Sequence, residues 1–310
     1  MTNTEQPTYK PEDDEIDLGE LFAAIWQGKL LILAITAVFA VAGVLFALSK
    51  PNIYKSEALL APSQAESSMS GMAAKFGGLA SLAGINLGGG GATDNTQLAL
   101  QVIKSRKFFE YFLTKHEIKP ELMAWDKWDP YSQVLSFDPD VYNPTTKQWL
   151  REANFPRQSE PSLQESHEVF IKNHFNVSQD KETGLVTISI EHISPVVART
   201  WAQRLVQDIN WVMKERTKAE TSKNISYLEQ QLAKTTIAEM QTVFYQLIEE
   251  QTKQLMLAET NDDFVFKTID PAVVPELKSG PKRALICVLA VLLGGMLSVA
   301  IVLVRYFANK

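Results

Sequence analysis

Leu30–Leu48, LLILAITAVFAVAGVLFAL, and Ala284–Val304, ALICVLAVLLGGMLSVAIVLV, contain no charged residue, and their reading decides the fold. At about 1.5 Å rise per residue they reach ~28 and ~32 Å, which matches a hydrocarbon core of ~30 Å. Each run is therefore expected to cross a bilayer once. Two crossings put 1–29 and 305–310 on one side and hold 49–283, by both of its ends, on the other.

Other uses of these runs fit the residues less well. Ala47-Leu48-Ser49 has the small-residue look of a signal cleavage site, but a signal peptide needs a basic start and a shorter apolar core. Residues 1–29 instead carry two Lys and seven acids. Ala284–Val304 lacks the polar face of a soluble core helix and is flanked by Lys282, Arg283 and Arg305, as a span would be. Lys10, Lys29, Arg305 and Lys310 on the tail side stand against Lys50, Lys55, Lys278, Lys282 and Arg283 on the loop side. The positive-inside rule therefore does not set the orientation. Long domains translocate largely regardless of charge, so size places 49–283 outside the cytoplasm and both tails inside.

The whole chain has 30 basic and 36 acidic residues, a net charge of −6, and region 49–283 has 26 and 29. No basic stripe suggests a nucleic-acid partner. The single cysteine, Cys287, lies within the second run, so the loop cannot form a disulfide. Asp13–Gly28, with Ile16, Leu21, Ile25 and Trp26 at helical spacing, reads as an amphipathic lead-in whose acids suit a helix start.

Beyond the first run, Ile53–Leu60 is expected as a strand. Ser63–Asn95 follows, with Gly71, Gly77-Gly78, Gly84 and Gly88–Gly91 interleaved with Met72, Phe76, Leu79, Leu82, Ile85 and Leu87. It cannot build a packed core of its own. It reads as a mobile loop, or as a segment whose apolar Phe76, Leu79, Leu82, Ile85 and Leu87 touch the membrane or a lipid-linked glycan. It is not a phosphate loop, because Ala92-Thr93-Asp94 stand where Gly-Lys-Ser/Thr is required.

Thr96–His116 has the period of one helix. Pro120–Pro161, with six prolines and Trp125, Trp128 and Trp149, predicts short irregular elements, and the Trp-Asp pairs could stack on sugars or simply pack. Ser162–Asn173 is expected as a helix, followed by a hairpin of Phe175–Gln179 and Leu185–Glu191. Ser194-Pro195 then opens a helix, with serine at the N-cap and proline at the first position. From Pro195 to Glu259 apolar residues recur at three or four. One rod of 65 residues would be about 98 Å long, whereas Asn261–Arg283 covers at most ~80 Å on the way back to the membrane. A reversal is therefore expected between Thr217 and Thr236. The fold class is α+β: two transmembrane helices flank an α/β base with a long helical hairpin protrusion, a coiled-coil-like element over about 195–259. Phe264–Ile269 returns as a strand of that base, and Pro271, Pro275 and Pro281 keep the approach to the second span extended.

Catalytic, cofactor and metal sites are not expected. His116, His167, His174 and His192 make no HExxH and have no cysteine partners, and Glu249-Glu250 and Asp262-Asp263 suit solvated positions. Gly294, Gly295 and Ser298 form a small-residue patch where another helix can approach closely.

Glu15-Ile16-Asp17-Leu18-Gly19-Glu20-Leu21 with Trp26, Ile53-Tyr54-Lys55-Ser56-Glu57-Ala58, and His192-Ile193-Ser194-Pro195 with Ala198 and Trp201 resemble the Wzz family of polysaccharide chain-length determinants. Asp270-Pro271-Ala272, Pro275, Pro281-Lys282-Arg283 and Leu289–Met296 extend the resemblance to nearly the whole chain. It implies a non-enzymatic polysaccharide co-polymerase of a bacterial inner membrane with a periplasmic domain. It further implies a homo-oligomeric ring, often octamer-like, that sets the length of O-antigen or a related lipopolysaccharide glycan made by a Wzy-type polymerase on an undecaprenyl lipid. On that reading Gly294, Gly295, Ser298, Pro271, Pro275 and Pro281 are candidate helix or polymerase contacts. The chain departs from longer members in its short helical region after Ser194 and its expanded Gly-rich segment. The rival expectation is a co-polymerase or adaptor for capsule or exopolysaccharide export that works with a separate tyrosine kinase. A self-contained receptor is not expected, because tails of 29 and six residues are too short for an output module.

Overall fold

A computed structural model of the chain describes residues 22, 25–63 and 92–308. In chain order its elements begin with α1 Lys29–Ser49, β1 Tyr54–Pro62, α2 Ala92–Ile103, α3 Arg106–His116 and α4 Lys119–Met123. Next come the short strands β2 Trp125–Asp129, β3 Val134–Phe137, β4 Tyr142–Asn143 and β5 Gln148–Trp149, then α5 Leu163–Val169. A π-turn, Phe170–His174, leads to β6 Phe175–Gln179 and β7 Val186–His192. The chain ends with α6 Pro195–Lys234, α7 Ala238–Thr260, β8 Phe266–Asp270 and α8 Arg283–Ala308. It divides into two compact units, Asn52–Ser279 and the described residues on either side of it.

The outer unit consists of α1 and α8, 21 and 26 residues long, both long and apolar enough to cross a membrane. Each extends a little beyond the uncharged run that predicts it. Lys29 and Arg283 are first turns rather than flanks.

The middle unit is built on an antiparallel sheet in the order β6-β7-β1-β8. Ser56, Ala58 and Leu60 of β1 lie opposite Ile190, Ile188 and Val186 of β7, and all six are buried. One face of the sheet is thus buried along its length and apolar apart from the Ser56 hydroxyl, and the first half of α6 covers it with Trp201, Ala202, Leu205 and Ile209, all fully buried. A row of rings extends this core towards α3. Phe109 lies 5.1 Å from Phe170, and Phe170 lies 5.4 Å from Phe175 and 6.2 Å from Trp201.

The expected helix over Thr96–His116 is two helices. Ser105 interrupts it in extended conformation, and its Oγ accepts from Phe108 N–H, so a hydroxyl that competes with the helical backbone starts α3 instead. The expected Ser162–Asn173 helix widens into the π-turn from Phe170 onward. Between β6 and β7, Asp180 Oδ1 accepts from the N–H groups of Glu182 and Thr183, and Gly184 takes a left-handed φ of 72°. The Pro120–Pro161 stretch forms two small two-stranded sheets, β2-β3 and β4-β5.

The helix opened by Ser194-Pro195 continues through Thr221-Ser222 and reverses at Thr235–Ile237, at the far limit of the expected window. Thr235 leaves the helix in extended conformation, with only Leu232 C=O as partner of its N–H. α7 folds back on the second half of α6, so that Asn224 meets Gln251 and Leu228 packs with Phe244 and Leu247. The expected returning strand is β8, displaced by about two residues from Phe264–Ile269.

Candidate functional site

Three places hold the residues singled out by the sequence: the span pair, the proline-rich segment and the corner at His192–Pro195. In the span pair, Gly294 and Gly295 do not act together. A side chain at Gly294 would meet Phe39 Cβ at 2.6 Å, whereas at Gly295 it would meet nothing within 4 Å. Ser298 is buried, and its hydroxyl donates to Gly295 C=O at 2.7 Å. The patch therefore splits, with Gly294 packed on the partner span and Gly295 turned to open space. Gly43 matches Gly294 from the other helix, because a side chain there would lie 2.5 Å from Ala290 Cβ. The pair is tied at one end by Arg283, whose Nε and Nη2 donate to Ala47 C=O and Lys50 C=O at 3.0 and 3.2 Å. A cation is thereby placed at the carbonyl end of α1, where the helix dipole favours it.

The segment after β8 is stitched through its backbone to α6 and to the β1 side of the sheet. Ala272 C=O accepts from Gln203 Nε2 at 3.0 Å, Val273 C=O from Ser56 Oγ at 2.7 Å, and Ser279 N–H donates to Ile53 C=O at 2.8 Å. Pro271 is exposed and Pro275 half-buried, and Val273, Val274 and Leu277 point outward between these ties. Pro281, in the outer unit, is half-buried and follows a cis peptide with Gly280. Phe76, Leu79, Leu82, Ile85 and Leu87, like most of the 13–28 lead-in, lie outside the described residues.

At the corner, β7 ends and α6 begins around a buried imidazole. Ser194 N–H donates to His192 Nδ1 at 3.0 Å, which leaves Nε2–H to donate to Glu121 C=O, also at 3.0 Å. Both ring nitrogens are used and the tautomer is fixed. Burial, together with neighbouring His174, holds the His192 pKa down at about 3. Glu121 also receives the Trp201 indole N–H at 3.0 Å. Its carboxyl is pushed up by burial, which the Trp201 bond and the charge of Arg204 offset only in part. Ser194 Oγ caps α6 by accepting from Val197 N–H. His192 carries no free lone pair or exchangeable proton for chemistry, so the corner fixes the angle between strand and helix.

A second buried polar group was hidden in the helical period. Asp208, on the core face between Leu205 and Ile209, is 2% exposed and binds Lys115 Nζ at 2.6 Å and His116 Nε2 at 2.7 Å. Burial pulls the Lys115 ammonium down, but its bonds to Asp208 and Tyr111 and their charge outweigh this and leave its pKa raised. Lys115 lies over the stacked rings of Tyr111 and Trp211, 5.2 Å apart. A charged residue in phase with an apolar stripe was the available signal for Asp208, and a glycine facing an alanine across the spans gave none for Gly43. Among the described residues no three potential metal ligands stand together.

Residues 14–116 match the family model described as chain length determinant protein, Wzz, and residues 231–307 match the one described as G-rich domain on putative tyrosine kinase, GNVR. A solved structure described as a full-length bacterial polysaccharide co-polymerase is 13% identical, with 94% of this chain and 98% of that one covered at a TM-score of 0.42. A fragment of WzzB, a polysaccharide co-polymerase from Salmonella Typhimurium, is also 13% identical, covering 74% of this chain and 100% of its own at a TM-score of 0.31. No curated protein matches.

Proposed function

We propose that this chain, whose residues 14–116 match the chain length determinant family model, is a polysaccharide co-polymerase that regulates the chain length of a bacterial surface polysaccharide without catalysing its synthesis. The observation that carries this reading is the pairing of that family match with two helices able to cross a membrane on either side of a sheet-and-hairpin unit. In the proposed arrangement the chain crosses the inner membrane twice, with Asn52–Ser279 in the periplasm and both ends cytoplasmic. Copies assemble as a homo-oligomeric ring beside a Wzy-type polymerase that extends O-antigen or a related glycan on an undecaprenyl lipid. Gly295, open to the surroundings of the span pair, and Pro271, Pro275 and Pro281 are the proposed contacts with the polymerase or a neighbouring copy. Phe76, Leu79, Leu82, Ile85 and Leu87 are proposed to touch the membrane or the lipid-linked glycan.

The test is the length distribution of surface polysaccharide on a gel after deletion and restoration of the gene. Loss of a modal cluster with polymer still made supports length control, and loss of all polymer would point to an enzyme or exporter. The GNVR match over residues 231–307 favours a second reading, an export co-polymerase that works with a separate tyrosine kinase. That reading expects loss of kinase autophosphorylation when residues 1–29 are removed, with no change in the gel of an O-antigen-type glycan.

A further inference from the structure

A cleft of about 460 Å³ opens in the middle unit beside the His192 corner. Its walls include Met123 at the end of α4, Trp125 at the start of β2, Asn173 and His174 on the π-turn, Glu191 near the end of β7, and Ile53 before β1. Three of the lining residues carry acceptor groups. His174 is 7% exposed and its Nδ1 lies 2.7 Å from Glu191 C=O, a contact that requires the proton on Nδ1. Burial lowers its pKa, so the ring is neutral and Nε2 presents a lone pair. Among the described residues Nε2 has no partner, unlike His192, which uses both nitrogens. The half-buried Glu191 carboxylate has no hydrogen bond or ion pair among the described residues either. Lys55, its cross-strand neighbour, is committed to Glu57 at 2.5 Å. Asn173 adds an exposed amide that can accept or donate.

The ligand that satisfies such a lining must donate hydrogen bonds along one edge and offer an apolar surface to Trp125, Met123 and Ile53. No Lys or Arg lines the cleft, so a phosphate or a carboxylate would meet Glu191 without a counter-charge. Its volume falls within the ~300–1,000 Å³ of small-molecule sites. A pyranose ring has this pattern, with hydroxyl donors at its edge and C–H groups on its face. We propose that this cleft binds a neutral sugar residue through His174 Nε2 and the Glu191 carboxylate, with Trp125 as the apolar wall. The biological role of such a site rests on the reading that a glycan meets this unit, but the binding itself does not.

The test is saturation-transfer NMR on the full chain in lipid nanodiscs. The probes are glucose, galactose, mannose and N-acetylglucosamine, with glucose 6-phosphate and glucosamine as charged comparisons. Saturable transfer from at least one neutral sugar is expected, weakened about tenfold in Glu191→Ala and in His174→Phe, as loss of a hydrogen bond to a charged or buried acceptor implies. Glu191 is half-buried, so its variant keeps the test valid if His174→Phe does not fold. No saturable transfer from any neutral sugar, equal binding in Glu191→Ala, or preference for either charged sugar would overturn the proposal. Failure here with the modal cluster still lost on gene deletion would remove the sugar site and leave length control standing.

Discussion

Asn210 lies on α6 with its amide against the backbone that enters β8. Its Oδ1 accepts from Val265 and Phe266 N–H at 3.0 and 2.8 Å, and its Nδ2 donates to Phe266 C=O at 2.8 Å. A single side chain thus anchors an edge strand to the helix that covers the sheet. Asn210→Ala leaves three buried backbone groups unpaired at about 1–3 kcal/mol each, partly relieved by water, so a net loss of about 3 kcal/mol is expected. That corresponds to a fall of about 6–12 °C in the thermal midpoint of the detergent-solubilised chain, and an unchanged midpoint would contradict the clip. His192 gives a pH prediction. With its folded pKa at about 3 and its unfolded one near 6.5, it is neutral in both states above the higher value and contributes fully there. As pH falls from 6.5 towards 3, the unfolded chain takes up a proton that the fold refuses, and stability drops by up to about 1.4 kcal/mol per unit. Buried His174 acts in the same sense, as does Glu165, which its Arg151 partner holds below the usual range, whereas Glu121, raised by burial, acts in the opposite sense. Denaturant melts of wild type and His192→Gln between pH 7 and pH 4 isolate the residue. The variant is less stable at pH 7, and its stability falls less steeply.

The span pair puts two adjacent glycines to different uses. Gly294→Leu drives a side chain into Phe39 Cβ, an atom fixed to the backbone of α1, and is expected to cost about 1–3 kcal/mol of helix pairing. Gly295→Leu meets open space and leaves the midpoint of the solubilised chain within ordinary surface variation. Equal loss in both would mean that the helices do not pack through Gly294. These elements show why some of the fold was legible in the sequence. An uncharged run of span length, an alternating strand such as Val186–Ile190 and a Ser-Pro helix start are local signals, and each produced the element it predicted. The reversal of α6 was legible only as a window, because it follows from closing the chain geometrically rather than from a Gly or Pro. The break at Ser105 was missed, since a serine amid helical periodicity reads equally as a surface position and as a cap until the packing of Phe108 and Phe109 decides between them.

Across the whole molecule, the site was less legible than the fold for the same reason. The motif His192-Ile193-Ser194-Pro195 stands out in the sequence, but its meaning depends on Glu121, far away in the chain, and on a ring nitrogen of His174 that only the folded cleft leaves unpaired. The helical hairpin supplies the largest-scale prediction. The first half of α6 belongs to the sheet core, whereas Leu228, Phe244 and Leu247 form a separate cluster towards the reversal, with Asn224 and Gln251 between the two. Deletion of Leu228–Leu247, with the helix stubs rejoined through an Asn-Gly turn, therefore removes the outer cluster alone and shortens the hairpin by about 12 Å. The base keeps every residue of its core, so the trimmed chain is expected to fold and to reach the membrane. If the chain is a scaffold, cells carrying it still make polymer, but the modal cluster on the gel moves to a different length. Complete loss of polymer from a folded, trimmed chain would argue for an indispensable catalytic part in the hairpin. An unmoved cluster would show that length is read elsewhere, in the base or in the spans.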